Sequence, residues 1–413
     1  MSMSQYFYGI VPIHDSINDE NREVILKDFP VPTFTMSTEG FTLDTQSHGE
    51  NVDRVTFLLN EFSVERTQGA SPKPFLKMKL SNHLGTYSAK MWDNNGAVDR
   101  YTPILESNSV FEISGKVEEF KGFKSITINE MNPCENEVDP FSLIACTQQS
   151  LEDFTVELHH YLNELEEPYR TISLAAMKRF WTEFSIRPAA MGHHHAYLGG
   201  LLKHTVGLMR LARYILVHEN DHYKAVLKLI NQVEKVYKQE LWKDLNSDSP
   251  GGNPRNLVWK DSIDHLYTMF YGMAKNRDEK VDYSLLMCAI FYHDLGKLME
   301  YHHAGKGTSE FAFLYPTADQ SSLANRKPTG ITMDDLGVLV GHIPYGVMLV
   351  AKIIETENCV MTLEDIHRLQ HAILCHHGKL EWGANIAPKT VEGFLIHIVD
   401  YLDSRYERTE EVK

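Results

Sequence analysis

The sequence predicts a multidomain chain in which a small all-β barrel is followed by an all-α helical bundle. Between about 52 and 131, apolar and polar residues alternate in short runs cut by Gly, Asn, Asp and Pro, which is the period of strands. After a connector near "NPCENEVDPFSLIACTQQS" the period becomes helical and stays so almost to the C-terminus. With 413 residues, 43% of them hydrophobic and 10% aromatic, the chain is long enough for two or three domains and a sizeable core.

Residues 1–50 are rich in Ser, Thr, Asp and Pro with weak periodicity and read as an extended arm or poorly ordered extension, to which no function is attached. The barrel is expected over 51–133, from "RVTFLLNEFSVERT", "FLKMKLSN", "TYSAKMWD", "SVFEISGKVEEF" and "KSITINEM". A connector fills 134–165 and the helical domain 166–408. Within it, "LGGLLKHTVGLMRLARYILVHE" repeats apolar residues at Leu201, Thr205, Leu208, Ala212 and Ile215, and His204 lies beside that face. "DLNSDSPGGNPRNLVW" (244–259) and "PTADQSSLANRKPTG" (316–330) are turn-rich loops without a ligand cluster. No internal repeat or low-complexity tract is visible.

Composition excludes several classes. A net charge of −16 argues against a protein that coats nucleic acid by general attraction to phosphate, so any nucleic acid must bind at a local site. Five cysteines without close pairing exclude a disulfide framework or zinc ribbon and fit a reducing cytoplasm. The N-terminus lacks a basic segment followed by an apolar one, and no apolar run approaches the roughly 20 residues that span a bilayer. A soluble, non-exported protein without a membrane partner is expected.

"AIFYHDLGKLMEY" (289–301) places His293, Asp294 and Lys297 directly behind an apolar run, where burial is costly unless each finds a partner. The helical domain also holds His204, His342, His376, His377 and Asp400. Imidazole and carboxylate bind Mn, Fe, Co and Zn, and a spread over several helices fits a site in the interior of a bundle. Neighbouring His293 and Asp294 would point about 100° apart on a helix and could share one ion. Against this, a single histidine such as His342 on an apolar helix is more often a satisfied core residue.

Taken together, "YHDLGK", "LVGHIPYG", "ILCHHGKLEWG" and "LIHIVDYLD" resemble the HD-domain metal-dependent phosphohydrolases. A narrower resemblance covers about residues 52–407. "FSIRPAAMGHHHAYLGGLLKHTVGLMRLA", "FYHDLGK", "GHI", "HHGKLEWG" and "PKTVEGFLIHIVDYLDS" are similar to the bacterial YhaM-type 3′–5′ exoribonucleases, which carry an N-terminal OB-fold. The resemblance implies His204, His293, Asp294 and Asp400 as primary metal ligands, with Asp294 able to bridge two ions. It implies His342, His376 and His377 as ligands of a second. One or two divalent ions follow, Mn first, with Co, Fe, Mg or Zn as alternatives, and Asp294 and Lys297 are the expected catalytic pair. Two metals suit phosphodiester hydrolysis, and Lys297 would then reach a phosphate oxygen.

Other candidates have two readings each. In the run His193, His194, His195, either His194 or His195 contacts substrate phosphate, or both cap and pack at the start of the next helix. In "HHGKLEWG", Lys379 and Trp382 hold a phosphate and stack a base, or Trp382 closes the bundle. In the barrel, Lys77, Lys79, Tyr87, Lys90, Trp92, Phe120, Lys121 and Phe123 are candidates for following a single strand. Tyr87, Ala89 and Met91 should share one face of their strand, with Ser88, Lys90 and Trp92 on the other. Tyr87 and Phe123 read equally as barrel core.

The implied function is that of a cytoplasmic hydrolase, a metal-binding, RNA-binding nuclease. It would act as a 3′–5′ exonuclease on single-stranded RNA, with DNA as a second substrate, releasing 5′-mononucleotides. The competing expectation is an HD phosphohydrolase acting on a small nucleotide, a dNTP or a cyclic dinucleotide. More chain separates His204 from His293 than the family pattern has. Enlargements near 218–280 and 305–335 would narrow the substrate entrance or form a homo-oligomer contact. A viral lineage would explain them and would place the protein in host cytoplasm.

Overall fold

A computed structural model describes the chain except residues 1–4, 14–18, 35–38, 69–70, 135–137, 193–194, 248–258, 325 and 408–413. The barrel is built from β3 (Asn51–Arg66), β4 (Pro74–Asn82), β5 (Gly85–Trp92), β6 (Val110–Phe120) and β7 (Phe123–Pro133), numbered after a two-stranded N-terminal hairpin, β1 (Gln5–Tyr6) and β2 (Val11–Pro12). It closes in the order β3-β4-β5-β7-β6, with β5 and β7 parallel and the other pairs antiparallel. Alternation dictates its inside: Leu76, Met78 and Leu80 of β4 and Tyr87, Ala89 and Met91 of β5 are buried among Phe57, Phe111 and Ile126. Helix α2 (Ala97–Ser107) links β5 to β6 and buries Leu105 in the barrel core.

The N-terminal segment departs from its expectation as an extended arm. The hairpin and α1 (Asp19–Asp28) carry Tyr6, Phe7, Val11, Ile25 and Phe29 into the core of the helical domain. Spacing within 1–50 could not announce this, because the apolar residues that dock there are few and their partners lie far along the chain. The connector range likewise contains helix α3 (Leu151–Asn163), whose Leu158, Tyr161 and Leu162 join the same core.

The bundle continues with α4 (Tyr169–Phe184) and α5 (Gly200–Arg213), and every residue of α5 is buried, which makes it the central helix. Next come α6 (His222–Leu245), α7 (Trp259–Lys275), α8 (Tyr283–Tyr292) and α9 (Lys297–Glu300). A small excursion holds β8 (Tyr301–His302), α10 (Ser309–Leu314), α11 (Ser321–Ala324) and β9 (Thr332–Met333), and α12 (His342–Thr356), α13 (Leu363–Cys375) and α14 (Val391–Tyr406) complete the chain. The 218–280 stretch forms α6 and α7, which pack on each other, while α7 also packs on α14. The turn-rich loop expected at 244–259 lies largely outside the described residues.

Barrel and bundle share an apolar seam in which Leu58 and Val110 meet Leu143, Ile144, Cys146, Leu198, Ala304 and Ile331. Gly330 of the excursion lies against Asn60, at the register shift of β3, so closely that a Cβ would come 1.9 Å from the amide oxygen. The excursion therefore braces the barrel against the bundle.

Candidate metal centre

Three helices that place candidate ligands, within them or just past their C-terminal ends, begin at side-chain caps. Asp282 accepts from Leu285 N before α8, Thr362 from Asp365 N before α13 and Thr390 from Gly393 N before α14. These caps fix where each helix starts and hence where along it the ligands fall. His204 sits within α5 and Asp400 within α14, which pack together. His293 and Asp294 lie in the turn between α8 and α9 rather than on one continuous helix, and His376 and His377 directly follow α13. Gly296 permits that turn, because a Cβ there would come 1.9 Å from the His342 carbonyl oxygen. Its lack of a side chain lets the start of α12 press onto the turn.

Asp294 is the centre of the cluster. Its Oδ2 faces His293 Nε2 at 3.2 Å and His204 Nε2 at 3.6 Å, and its Oδ1 faces His342 Nε2 at 3.6 Å and His376 Nε2 at 3.8 Å. Asp400 Oδ1 lies 3.2 Å from His204 Nε2. His377 completes a group with His342 and His376 whose ligand atoms lie within 4.8 Å of one another. The seven residues expected as metal ligands are thus brought together from five parts of the fold.

The rings point their Nε2 atoms inward because their Nδ1 atoms are engaged. His293 Nδ1 donates to Ile290 O at 2.6 Å, His376 Nδ1 to Ile373 O at 2.8 Å and His377 Nδ1 to Trp382 O at 2.9 Å. His342 Nδ1 lies 2.7 Å from Glu300 Oε2, and His204 Nδ1 2.6 Å from Asp403 Oδ2. Since each of these partners only accepts, Nδ1 keeps its proton and Nε2 is the nitrogen left to ligate a metal; His204 Nε2, which also faces Asp400, would give up a proton to do so. Among the described residues, His293 Nε2, Asp294 Oδ1, His342 Nε2 and His376 Nε2 are buried without a hydrogen-bond partner. Such orphaned acceptors are costly and call for a cation between them. Separations of 3.2 to 3.8 Å suit donors that each lie about 2.0–2.2 Å from a shared ion. The residues therefore fit a divalent metal, and imidazole with carboxylate suits Mn, Fe, Co or Zn.

Electrostatics agrees with that fit. Burial drives the His376 imidazolium well below its ordinary range, with His377 and His293 adding to the effect, and brings His377 down to about 4, so both rings are neutral. Burial alone would raise the Asp294 carboxyl, but His293 and Lys297 outweigh it and hold the group ionised. His204 opposes the trend. Burial lowers its pKa, yet hydrogen bonds to Asp400 and Asp403 raise it to about 10, which marks the spot as one that attracts positive charge.

Lys297 does not stand free to clamp a phosphate. Its Nζ lies 2.6 Å from Asp294 Oδ2 and 2.6 Å from Ala189 O, and the residue is buried. His195 corrects the expectation of a phosphate contact, since it is only 4% exposed and its ring nitrogens meet Tyr197 Oη at 2.8 Å and Asp403 Oδ2 at 3.0 Å. It stands behind His204, away from solvent. His194 lies outside the described residues. Trp382 is half-buried and stacks on Tyr401 with an interplanar angle of 12°, while Lys379 Nζ lies 4.2 Å from its ring and Arg405 also lies over it. These contacts favour its role in closing the bundle.

On the barrel, Lys90 pairs with Glu118 at 2.6 Å and lies over the Trp92 ring, and Lys77 pairs with Glu65 at 3.0 Å. Trp92 and Phe75 bring their rings to 5.3 Å on the outer surface. Phe120 and Phe123 are 74% and 66% exposed at the β6–β7 turn, so Phe123 is not barrel core. Lys79 Nζ approaches Gly192, in the loop that leads into α5.

Sequence reasoning missed Asp403, Glu300 and Tyr6. Asp403 follows Asp400 by three residues in "VDYLDS" and Glu300 follows Lys297 by three in "GKLME", spacing that places each pair on one helical face. Tyr6, whose hydroxyl donates to Asp403 Oδ1, left no local signal.

The HD domain model matches residues 263–405, which include the candidate ligands other than His204. The chain is 24% identical over 367 residues, 88% of either chain, to a protein named 3′-5′ exoribonuclease YhaM from Listeria monocytogenes serotype 4b (strain CLIP80459). It is likewise 24% identical to the proteins of that name from Geobacillus sp. (strain WCH70), with 86% of this chain and 83% of the relative covered, and from Bacillus pumilus (strain SAFR-032), with 87% of each. A solved structure of a replication protein A heterotrimer bound to ssDNA aligns over 27% of each chain at 17% identity with a TM-score of 0.20, too slight a likeness to bear on fold or function.

Proposed function

We propose that the chain is a metal-dependent 3′–5′ exonuclease that hydrolyses phosphodiester bonds of single-stranded RNA to 5′-mononucleotides, with single-stranded DNA as a second substrate. The observation that carries this reading is Asp294, whose two carboxylate oxygens face separate groups of buried imidazoles. His204, His293, Asp294 and Asp400 would hold one divalent ion, and Asp294 with His342, His376 and His377 a second. Such ions supply a water made nucleophilic at neutral pH and neutralise charge on the leaving oxygen.

The protein's own groups set the stage for that chemistry. Glu300 and Asp403 fix the rings of His342 and His204 through their Nδ1 atoms. His293 and Lys297 together keep Asp294 ionised in a buried setting. The barrel's outer surface, with Trp92, Lys90, Phe120 and Phe123, offers stacking and charge for a single strand, and Lys79 reaches the loop that leads into α5. The 3′–5′ direction and the RNA substrate are supported by the names of the relatives. A cytoplasmic location is part of the same proposal and rests on the likeness to bacterial exoribonucleases; no helix among the described residues is long and apolar enough to cross a membrane.

The reading is tested by incubating the protein with Mn²⁺ and 5′-labelled single-stranded RNA, the matching DNA, and a panel of dNTPs and cyclic dinucleotides, beside an Asp294→Ala control. A ladder shortening from the 3′ end, absent in the control, is the expected result. Intact strands with hydrolysis of one small nucleotide would replace the exonuclease by an HD phosphohydrolase for that nucleotide.

A further inference from the structure

Tyr6 comes from the far end of the chain and ends beside the metal centre. Its hydroxyl donates to Asp403 Oδ1, while Asp403 Oδ2 accepts from His204 Nδ1 at 2.6 Å and His195 Nε2 at 3.0 Å. Both oxygens of a carboxylate that is 1% exposed are therefore engaged, and Tyr6 is the donor that occupies the one turned away from the histidines. The contact passes through a gap in α5, where a Cβ on Gly207 would come 2.2 Å from Asp403 Oδ1 and 2.6 Å from the Tyr6 hydroxyl. The Tyr6 ring is itself held, with the Arg210 guanidinium 5.2 Å from its centroid and Arg210 in turn bonded to Glu157 at 2.6 and 2.8 Å. Neighbouring Phe7 and Val11 anchor the hairpin in the bundle core.

We infer that the N-terminal hairpin is a strap on the metal centre, and that Tyr6 is a positioning residue which fixes ligand His204 through Asp403. The inference rests on the metal-centre reading above. A carboxylate with donors on both oxygens has one orientation, and the imidazole bonded to it is pinned with its Nε2 edge, the one that would ligate the ion, turned to Asp294 and Asp400. With the Tyr6 hydroxyl removed, Asp403 Oδ1 is left buried without that donor. The carboxylate then gains by rotating towards another one, and His204 turns with it. Loss of a partner that touches a ligand directly weakens metal binding by about 10–100-fold, and Tyr6, one contact further out, should cost about 10-fold.

The experiment uses the full chain and measures Mn²⁺ affinity by calorimetric titration, together with the thermal midpoint in chelator, for wild type, Tyr6→Phe, Phe29→Ala and Asp294→Ala. Phe29→Ala disturbs the docking of the N-terminal segment just past α1, away from the hairpin, without removing a hydrogen-bonding group. A loss of Mn²⁺ affinity of about 10-fold in Tyr6→Phe, with wild-type affinity in Phe29→Ala whatever its thermal midpoint, is the expected result. Wild-type affinity in Tyr6→Phe would overturn the inference, and so would an equal loss in Phe29→Ala, since the effect would then follow general packing and not the hydroxyl. Undiminished Mn²⁺ binding by Asp294→Ala would instead overturn the metal-centre reading, which separates the two failures.

Discussion

Lys297 Nζ and Asp294 Oδ2 lie 2.6 Å apart, both buried, and the ammonium spends a second hydrogen bond on the Ala189 carbonyl. Burial works against the charge on Lys297, but Asp294 outweighs it and holds the group protonated. A lysine tied down in this way serves the carboxylate before it serves a substrate. Lys297→Met should destabilise the metal-free protein by about 3–5 kcal/mol, the cost of leaving one partner of a buried pair uncompensated. It should lower kcat more than it raises KM for RNA, whereas a phosphate clamp would chiefly raise KM. Denaturant unfolding in chelator and steady-state kinetics check the two halves.

Glu300 holds His342 twice, accepting from Nδ1 at 2.7 Å and from the backbone N–H at 3.2 Å. Glu300→Gln keeps the shape and removes the charge that favours the Nδ1–H tautomer. The variant should bind the second of two Mn²⁺ ions about 10–100-fold more weakly while the first, on His204, His293 and Asp400, keeps its affinity. A two-site calorimetric titration reads both.

Phe120 and Phe123 flank Lys121 and Gly122 at an exposed turn whose positive φ values, 52° and 80°, fold the strand back and leave both rings in solvent. With Trp92 they are the barrel's candidates for stacking. In an Asp294→Ala background that leaves the strand uncut, replacing Trp92, Phe120 or Phe123 by Ala should each cost about 1–3 kcal/mol of binding for every base released, measured by fluorescence anisotropy on labelled single strands. The loss should vanish for dinucleotides too short to span from the metal site to the barrel.

Both architectures and the gathering of the candidate ligands were legible because their signals are local or repeated. Alternation in "TYSAKMW" specifies a strand with Tyr87 inside and Trp92 outside, and the blocks around His293, His376 and Asp400 announce ionisable groups where the pattern demands core. What escaped is carried by long-range contacts. Tyr6 meets Asp403 across almost the whole chain, and nothing within a helical turn of Tyr6 encodes that partner. The run of three histidines allows His195 a phosphate contact or a place at the helix entry, and only tertiary packing decides that it is buried on Asp403. Lys297 sits where spacing put it, yet spacing could not say that Asp294 and Ala189 would claim its protons.

Among the described residues, the buried atoms His293 Nε2, Asp294 Oδ1, His342 Nε2 and His376 Nε2 have no hydrogen-bond partner, so the fold gathers a cluster of unsatisfied acceptors. A ligand that satisfies them in the folded state alone must stabilise that state by mass action. At a free Mn²⁺ concentration of about 100 Kd the gain should be ~2.7 kcal/mol per site, rising with the logarithm of concentration. The thermal midpoint should therefore climb with added Mn²⁺ and fall in chelator. Asp294→Ala should abolish that dependence, because it removes the oxygens that face both groups of imidazoles. His377→Ala should leave part of it, since His377 stands on one side only, beside His342 and His376. A midpoint indifferent to Mn²⁺ in wild type would mean that these atoms are satisfied in some other way, and differential scanning fluorimetry over a Mn²⁺ series decides the point.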